Sequence, residues 1–545
     1  MGRSPSNHCG VTLLPKLSGD TPSTPPTLDA FGSKAAKLGA LLGQGAAARV
    51  LLVGSLPLAW VEDFQSHFAG AVHVRSSRQL ETALESDRQY DLIVYMALLD
   101  SPTRLTSHTL SALRRSLTLG GSLFALVENR FGARALMRDP TLLWARGRTS
   151  PVGFRRKLGR AGFERIREFL PLPSLSNVEE FVVSNSGAIA LPSHATRIEG
   201  LLNRAGVLSV THDSGAFIAS GENGGSYSIL RDLGDHLTTL GKRVERLELE
   251  RFDLRDRGAL ILLVKGTAAG DGFVCRVTTD AVTDRAVRRN RQWIERIADT
   301  PRISQEIKAV VPKSLGVFRP GGGTAYTESR IPGSIAWKLA GSKRLEPTLF
   351  KGVYAFAAAL SRDTVRQIRV DDALLAQLLD PPVPQTVDES VAAPYEQLRH
   401  RLRARILGEQ RLVVLAHGDF GYGNAIADPR TGTLCGVIDW DQGREDLAGV
   451  DLVNFLIQRE RSRRVYALPD VFEETSSRII SDGFKRFDER IEYEERFPLG
   501  PEKRAELFGL AALRFAQRGM AYPSLFVGAR EETRAILEWA CAILK

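Results

Sequence analysis

The sequence predicts two consecutive folded units, an α/β unit followed by an α+β unit, from three observations. Short apolar runs alternate with helical segments from Arg49 to about Gly221, which is typical of a parallel sheet covered by helices. Three strand-like segments between Val244 and Val277 then predict a meander, and a helix follows them. Beyond Pro347 the apolar spacing is mostly helical.

The first unit alternates predicted strands and helices and contains two short motifs of low specificity. Its predicted strands and helices are strands 50–53, 71–74, 90–95 and 122–127, and helices 79–85 and 105–117. Residues 110–123 read L-x-x-L-x-x-x-L-x-x-G-G-x-L, and Ala161-Gly-Phe163 precedes Leu170-Pro-Leu-Pro173. These segments resemble the class I S-adenosylmethionine-dependent methyltransferases over about residues 31–221. The resemblance implies a Rossmann-like domain.

Two departures from that family lead us to expect no binding of S-adenosylmethionine. A cofactor-binding domain of this kind needs glycines after its first strand, where the backbone approaches the ligand. Here the loop beginning at Gly54 has a single glycine and contains Pro57. After the second strand, Arg75-Ser-Ser-Arg78 stands where a carboxylate would accept hydrogen bonds from the ribose.

The clearest candidate catalytic residues lie in two blocks, at residues 412–424 and 434–441. An apolar run, residues 412–416, leads into His417-Gly-Asp419, with Asn424 five residues after Asp419. A second apolar run, residues 434–438, ends at Asp439-Trp-Asp441. Phosphoryl transfer needs a carboxylate that orients the attacking hydroxyl and oxygen ligands for Mg²⁺. The alternative is a loop of turn-forming residues between two core strands, which the order of both blocks disfavours.

These blocks resemble the aminoglycoside phosphotransferase and choline kinase family, whose pattern is H-G-D-x-x-x-x-N followed by I-D-W-[DE]. By that resemblance Asp419 is the catalytic base, and Asn424 binds the metal and the nucleotide. Asp439 is the main metal ligand, and Asp441 stands behind it as a further metal-site residue. His417 braces the catalytic loop.

A weaker match covers the preceding strands. Phe273-Val-Cys-Arg276-Val resembles the family's third strand, whose basic residue reaches the nucleotide phosphates. The family's next helix offers a Glu to that residue, but Asn290 stands in the expected place. The segment ending in Ile331-Pro-Gly333 resembles the strand into the adenine-binding hinge, which implies that Glu328 is a linker residue at the nucleotide. A structural Arg276 at a strand edge is the alternative.

The two resemblances divide the chain into a Rossmann-like methyltransferase-type domain and a bilobal protein-kinase-like domain. The predicted boundaries are a disordered tail at 1–28, a methyltransferase-like domain at 29–221, a linker with a short helix at 222–240, and a kinase-like domain at 241–545, with an N-lobe at 241–333 and a C-lobe at 334–545.

Bulk composition is that of a globular protein, and we expect a cytoplasmic location. Hydrophobic residues make up 43% and charged residues 25% of the 545 residues. The net charge of +10 is scattered, so we expect no nucleic-acid partner, and the apolar runs are too short for membrane insertion. The four cysteines are far apart and indicate neither disulfides nor zinc. Acidic residues at 488–495 resemble loops that hold cationic substrates in antibiotic-modifying relatives, although a solvated helix face is the preferred interpretation.

The sequence therefore predicts an ATP- and Mg²⁺-dependent kinase that phosphorylates a hydroxyl of a small molecule. The acceptor and the oligomeric state stay open. A pseudokinase scaffold is the first alternative, favoured by Asn290 and by the glycine-poor first turn of the N-lobe. A bifunctional methyltransferase-kinase is the second.

Overall fold

The computed structural model describes residues 33–545 apart from residues 87, 98–105, 129–150, 175–176, 184–213, 221–227, 243, 245, 255–257, 267–271, 321–322, 382–386, 464–467, 483–498 and 521–522. The predicted tail at 1–28, the glycine-rich joint at 221–226 and the acidic residues at 488–495 lie outside the described residues.

The N-terminal part, residues 33–220, alternates strands with helices. Its strands are β1 (Val50–Gly54), β2 (Val72–Val74), β3 (Tyr90–Ala97), β4 (Leu117–Glu128), β5 (Arg165–Ser174), β6 (Asn177–Val183) and β7 (Ser214–Ser220). Its helices are α1 (Lys34–Leu42), α2 (Leu58–His67), α3 (Ser77–Glu85), α4 (Ser107–Arg115) and α5 (Pro151–Arg160).

Strands β1 to β4 are parallel neighbours in the order β2-β1-β3-β4, as the alternation predicts. The side chains of β1 are buried throughout, which explains why this strand reads as a continuous apolar run. Strand β7 runs antiparallel between β4 and β5. The parallel sheet is confirmed, and the resemblance of this part to methyltransferases stays a prediction.

The C-terminal part begins with α6 (Ser228–Thr239) and a meander of strands, as expected. Its strands are β8 (Leu247–Asp253), β9 (Leu260–Gly266), β10 (Gly272–Thr278), β11 (Ser314–Phe318), β12 (Thr324–Ser329), β13 (Ser334–Ile335), β14 (Arg366–Arg369), β15 (Gln410–Ala416), β16 (Ala425–Ala427), β17 (Leu434–Val437) and β18 (Arg444–Leu447). Its further helices are α7 (Ala281–Asp299), α8 (Gln305–Ala309), α9 (Glu346–Thr364), α10 (Asp372–Leu379), α11 (Glu389–Ile406), α12 (Val450–Arg463), α13 (Leu468–Asp482), α14 (Pro501–Met520) and α15 (Pro523–Ile543).

A single sheet connects the two parts. Its order is β11-β12-β10-β9-β8-β6-β5-β7-β4-β3-β1-β2, so the meander of the C-terminal part continues the N-terminal sheet. The link is an antiparallel ladder between β6 and β8, which pairs Phe181 with Phe252 and Val182 with Arg251. The rings of Phe181 and Phe252 also stack with their centroids 4.6 Å apart. The hydrophobic core beneath this sheet is likewise shared, because it contains residues from Ala35 to Ala325.

Helix α7 positions residues for the site. The Asp280 side chain caps it by accepting a hydrogen bond from the Thr283 N–H, which satisfies one of the free donors of the first turn. Its buried stripe recurs every three or four residues and includes Val287, Asn290 and Ile294. Asn290 is thus a polar side chain on an apolar face, and it needs hydrogen-bond partners there.

The rest of the C-terminal part packs helices around two small sheets, β13-β16-β17 and β14-β15-β18. Its core is largely separate from the core under the long sheet and contains Trp440, Tyr422 and Phe455. None of the helices in the described part of the chain combines the length and the hydropathy needed to cross a bilayer.

Candidate active site

Two loops meet at the centre of the C-terminal part. The first follows β15 and runs from His417 to Asn424, and the second follows β17 and contains Asp439. Strands β16 and β17 pair in a register that sets Ala425 opposite Val437. The Ile438 N–H consequently donates to the Asn424 carbonyl at 2.9 Å, which ties one loop to the other.

His417 fills the space between these loops. It is fully buried, its Nε2 lies 2.8 Å from the Ile438 carbonyl oxygen, and its Nδ1 lies 3.3 Å from the Asp419 backbone nitrogen. Burial lowers the pKa of His417 to about 4, so the ring is neutral near pH 7. With Nδ1 accepting from the Asp419 N–H, the ring proton belongs on Nε2. His417 therefore holds backbone groups in place and is a positioning residue.

Asp451, in the first turn of α12, fixes the same loop from the other side. Its carboxylate accepts hydrogen bonds from the His417 N–H at 2.5 Å and from the Gly418 N–H at 2.9 Å. Burial raises the pKa of Asp451 to about 6. Gly418 has φ +79°, and a Cβ there would lie 2.2 Å from the Gln442 carbonyl oxygen. Only glycine fits this turn.

The carboxylate of Asp419 is contacted on both oxygens. Its Oδ2 lies 3.3 Å from Nδ2 of Asn424, which also donates to the Asp419 carbonyl oxygen at 2.8 Å. Its Oδ1 forms an ion pair with Nη1 of Arg518, near the C-terminal end of α14. The side chains of Arg518 and Asp419 are 24% and 28% exposed, so this pair is partly accessible to solvent.

Asp439 has a strained backbone. Among the described residues it is the one non-glycine residue with positive φ, at 68°. Aspartate tolerates this left-handed conformation better than most residues, but surrounding contacts have to hold it there. The next residue supplies them, because the Trp440 N–H donates to Oδ1 of Asn290 at 2.7 Å and the Trp440 indole donates to the Val437 carbonyl at 3.0 Å.

Arg276 on β10 connects the long sheet to this second loop. Its Nη1 lies 3.0 Å from Asp439 Oδ1, and its Nε lies 3.3 Å from Glu328 Oε1. Burial lowers the pKa of Arg276, but the charges of Glu328 and then Asp439 outweigh that effect and raise it above its ordinary value. Arg276 is therefore a fully charged group between two carboxylates and not an isolated residue at a strand edge.

The position of Glu328 corrects the sequence-based expectation. Glu328 lies inside β12, opposite Val274, and is buried, so it is not a linker residue. Its Oε2 accepts a hydrogen bond from Nδ2 of Asn290 at 3.1 Å. The carboxylate that was expected on the helix thus comes from the neighbouring strand, and Asn290 occupies the helical position. An amide can donate to Glu328 and accept from Trp440 at once, which a carboxylate cannot do.

Asp441 lies beside this network. Its carboxylate accepts a hydrogen bond from Gln442 Nε2 at 3.0 Å. Burial, and secondarily the charge of Asp439, raise the pKa of Asp441 to about 7. Arg289 of α7 donates to the Asp441 carbonyl at 3.0 Å and to the Gly443 carbonyl at 2.8 Å, so α7 holds this loop at several points.

Comparison with known families gives a match for this region. Residues 262–473 match the model of the phosphotransferase enzyme family, APH. The C-terminal part contains a phosphotransferase-family domain. The matched segment holds Arg276, Asn290, Glu328 and both loops of the site. Arg518 lies beyond the matched residues of the phosphotransferase domain, and the N-terminal part lies outside them as well.

Several solved structures are similar to the chain at low identity. The aminoglycoside phosphotransferase APH(3'')-Id from Streptomyces rimosus, in complex with ADP and streptomycin, is 17% identical, with 51% of this chain and 98% of that chain covered and a TM-score of 0.28. A choline/ethanolamine kinase family protein from Mesorhizobium loti is 12% identical, with coverages of 56% and 90% and a TM-score of 0.33. WbdD, crystallised with a kinase inhibitor, is 10% identical, with coverages of 93% and 90% and a TM-score of 0.25. No curated protein sequence matches the chain.

The site contains residues that sequence reasoning missed. Arg518 was not among the candidate site residues, and nothing in its sequence neighbourhood distinguishes it from the other arginines of the chain. Asn290 was noticed only as a departure from the family pattern. Its position in an apolar helical stripe was the available signal that it has buried partners.

Proposed function

We propose that the phosphotransferase domain transfers the γ-phosphoryl group of ATP, with Mg²⁺, to a hydroxyl group of a small molecule. The observation that carries this proposal is the 3.0 Å contact between Arg276 Nη1 and Asp439 Oδ1. It joins a basic residue suited to nucleotide phosphates with an acid suited to the metal ion. Asp419 and Asn424 lie on the adjoining loop.

The donor set fits magnesium. Mg²⁺ is usually held by one or two carboxylates and by substrate phosphates, with water filling the other positions. Asp439 and Asn424 would hold it, with Asp441 behind them. The Nδ2 of Asn424 is turned toward Asp419, which leaves its Oδ1 as the oxygen for a cation. When bound, the metal neutralises charge on the nucleotide phosphates.

In this proposal Asp419 is the catalytic residue. Its carboxylate would accept the proton of the acceptor hydroxyl as the hydroxyl oxygen bonds to the γ-phosphorus and the bond to ADP breaks. His417 and Asp451 would hold the backbone that carries Asp419. Arg276 would contact the phosphates, with Glu328 and Asn290 keeping its guanidinium in position.

The contacts of Glu328 weaken the case for a pseudokinase scaffold. That alternative rests partly on Asn290 replacing an expected Glu, and Glu328 supplies the missing negative charge at 3.3 Å from Arg276. In the described N-terminal strands, His73 Nε2 lies 3.2 Å from the carbonyl oxygen of Gly54, the last residue of β1, which disfavours the bifunctional alternative.

The test is Mg²⁺-dependent ADP formation from ATP by the full chain, screened over a library of hydroxyl-bearing metabolites, aminoglycosides and amino alcohols. We expect turnover with at least one acceptor and none without Mg²⁺. Mg²⁺-dependent ATP binding without transfer to any acceptor would favour the scaffold instead.

A further inference from the structure

Arg518 is a partly exposed cation beside Asp419 that has spare hydrogen-bonding capacity. A guanidinium group has five N–H donors. Among the described residues, Asp419 is the one polar partner of the Arg518 side chain, through Nη1 and Oδ1. The other donors of this guanidinium are therefore available to a ligand that binds beside Asp419.

The two arginines of the site differ in how their charge is balanced. Arg276 has two carboxylates within 3.3 Å of its nitrogen atoms. Arg518 has one carboxylate, and Asn424 contacts that same carboxylate on its other oxygen. Burial lowers the pKa of Arg518 to about 10. A further anion beside Arg518 would find N–H donors that Asp419 does not occupy.

The contacts of the two Asp419 oxygens indicate whether an anion bound beside Arg518 belongs to the nucleotide or to the acceptor. Oδ2 points to Asn424, whose loop is tied to Asp439 and so to the nucleotide side of the site. Oδ1 points to Arg518, on helix α14. Because the acceptor hydroxyl has to approach Asp419 away from the metal ligands, Arg518 lies on the acceptor side.

We propose that Arg518 selects an acceptor that carries an anionic group, a phosphate or a carboxylate, near the hydroxyl that is phosphorylated. The inference rests on the proposed function for the identity of the reaction, and on the geometry alone for the anion site. Arginine suits this task because its planar donors match phosphate and carboxylate oxygens in pairs.

This assignment gives the ion pair a role in the reaction. Without acceptor, Arg518 engages the Asp419 oxygen that has to receive the hydroxyl proton. An anionic acceptor offers Arg518 a competing partner, which frees Oδ1 for the hydroxyl. The transfer then forms the bond between acceptor oxygen and phosphorus, breaks the bond to ADP, and passes the hydroxyl proton to Asp419. Water carries no charge to draw Arg518 away and is a poor acceptor.

The anion site is tested first without turnover. Full-length protein is titrated calorimetrically with inorganic phosphate and with glycerol 3-phosphate in the presence of saturating Mg·ADP. The variants are Arg518→Met, which keeps the aliphatic stem, Arg518→Lys, which keeps the charge, and Arg534→Met as the control. Arg534 is an exposed residue on α15, paired with Glu538.

We expect the wild type and Arg534→Met to bind both anions equally, Arg518→Met to bind them about tenfold more weakly or worse, and Arg518→Lys to fall between. Equal binding in wild type and Arg518→Met overturns the proposal. If Arg518→Met does not fold, Arg518→Lys decides, because unchanged affinity in that variant contradicts recognition by a paired guanidinium. If the protein does not bind Mg·ADP, the proposed function is contradicted. The anion-site proposal is still tested, because the anion affinities of wild type and variants can be compared without nucleotide.

Turnover supplies the second test, with glycerol and glucose compared with their phosphates, and choline and streptomycin as cationic acceptors. We expect the phosphorylated compounds to show a KM at least about tenfold lower than their neutral counterparts, and Arg518→Met to remove that difference. A preference for cationic or neutral acceptors that Arg518→Met leaves intact overturns the proposal. The proposal is also overturned if Arg518→Met lowers kcat equally for every acceptor and leaves KM unchanged. That result would indicate that Arg518 contacts the transferred phosphoryl group.

Discussion

Glu328 on β12 and Asn290 on α7 share a buried hydrogen bond of 3.1 Å, and each also contacts a second group across the site. Glu328 reaches Arg276 on the neighbouring strand, and Asn290 reaches the Trp440 backbone beyond Asp439. A continuous path of polar contacts thus runs from the long sheet through α7 to the proposed metal loop.

The first prediction concerns Glu328→Gln. This change keeps the side-chain shape and removes one of the two charges beside the buried Arg276, so we expect the free energy of unfolding to fall by about 3 kcal/mol and the KM for ATP to rise. Urea denaturation and steady-state kinetics measure the two effects. The matched control is Glu250→Gln, whose pair with Arg330 is one-third exposed and should contribute at most about 1 kcal/mol. Equal losses in both variants would contradict the role given to Glu328.

The second prediction is that Asp419→Asn abolishes transfer and preserves nucleotide binding. The amide cannot take the hydroxyl proton, and general-base catalysis typically contributes about 10²–10⁴-fold. The measurement is kcat with the best acceptor, with calorimetric titration of Mg·ADP as the control for binding. Turnover close to that of the wild type would remove Asp419 from its proposed role.

The third prediction ranks the two acids of the second loop. Asp439→Ala should reduce the affinity for Mg·ATP more than Asp441→Ala, because Asp439 lies beside Arg276, whereas the Asp441 carboxylate already accepts a hydrogen bond from Gln442. The readout is the thermal shift produced by Mg·ATP, since a ligand that binds only the folded state raises its stability. The same loss of shift in both variants would reject the ranking.

The fourth prediction is a pH dependence of stability from His417. Its pKa is lowered from 6.5 to about 4, so between these values the unfolded chain binds the proton and the folded chain does not. His417 should therefore contribute a decrease in the free energy of unfolding, of up to about 3 kcal/mol, as the pH falls from about 6.5 to about 4. The raised pKa values of Asp441 and Asp451 contribute in the opposite direction, so the His417 contribution is read from the difference between wild type and variant.

Compared with the wild type, His417→Gln should lack this contribution to the pH dependence of stability, and His400→Gln, at an exposed position on α11, should keep it. Urea unfolding at a series of pH values measures both variants. An unchanged slope in His417→Gln would show that its ring is not the buried neutral group described above.

The fifth prediction is that the full chain does not bind S-adenosylmethionine at micromolar concentrations. The His73 ring contacts the Gly54 carbonyl and Arg75, and Pro57 at the start of α2 has no N–H to donate. Calorimetric titration of the intact protein checks it. A dissociation constant in the low micromolar range would revive the bifunctional alternative.

Local patterns in the sequence predict most of the elements and both loops of the site. Apolar runs mark β1, β15 and β17 because those strands lie in hydrophobic cores. The spacing from His417 to Asn424 predicts a loop because short polar and glycine residues follow a buried strand at once.

Contacts between distant residues were not predictable in the same way. Arg276 meets Asp439 across 163 positions, and the β6–β8 ladder joins strands about 70 residues apart in a register that neither strand encodes alone. Glu328 was misplaced because the turn after it resembles a hinge, whereas strand pairing with β10 buries it. The contact of Arg518 could not be predicted, because the sequence around an arginine near a helix end does not indicate which distant residue it contacts.

The β6–β8 ladder also limits how the two parts of this protein can be separated, in evolution or by expressing one part alone. Domains joined by a linker can be separated, exchanged or lost, because each keeps its own intact surface. Separating the chain between β6 and β8 would instead leave two strands with rows of unpaired backbone groups, and such exposed edges recruit other chains. Either half expressed alone should therefore self-associate, and the two halves are expected to be inherited together.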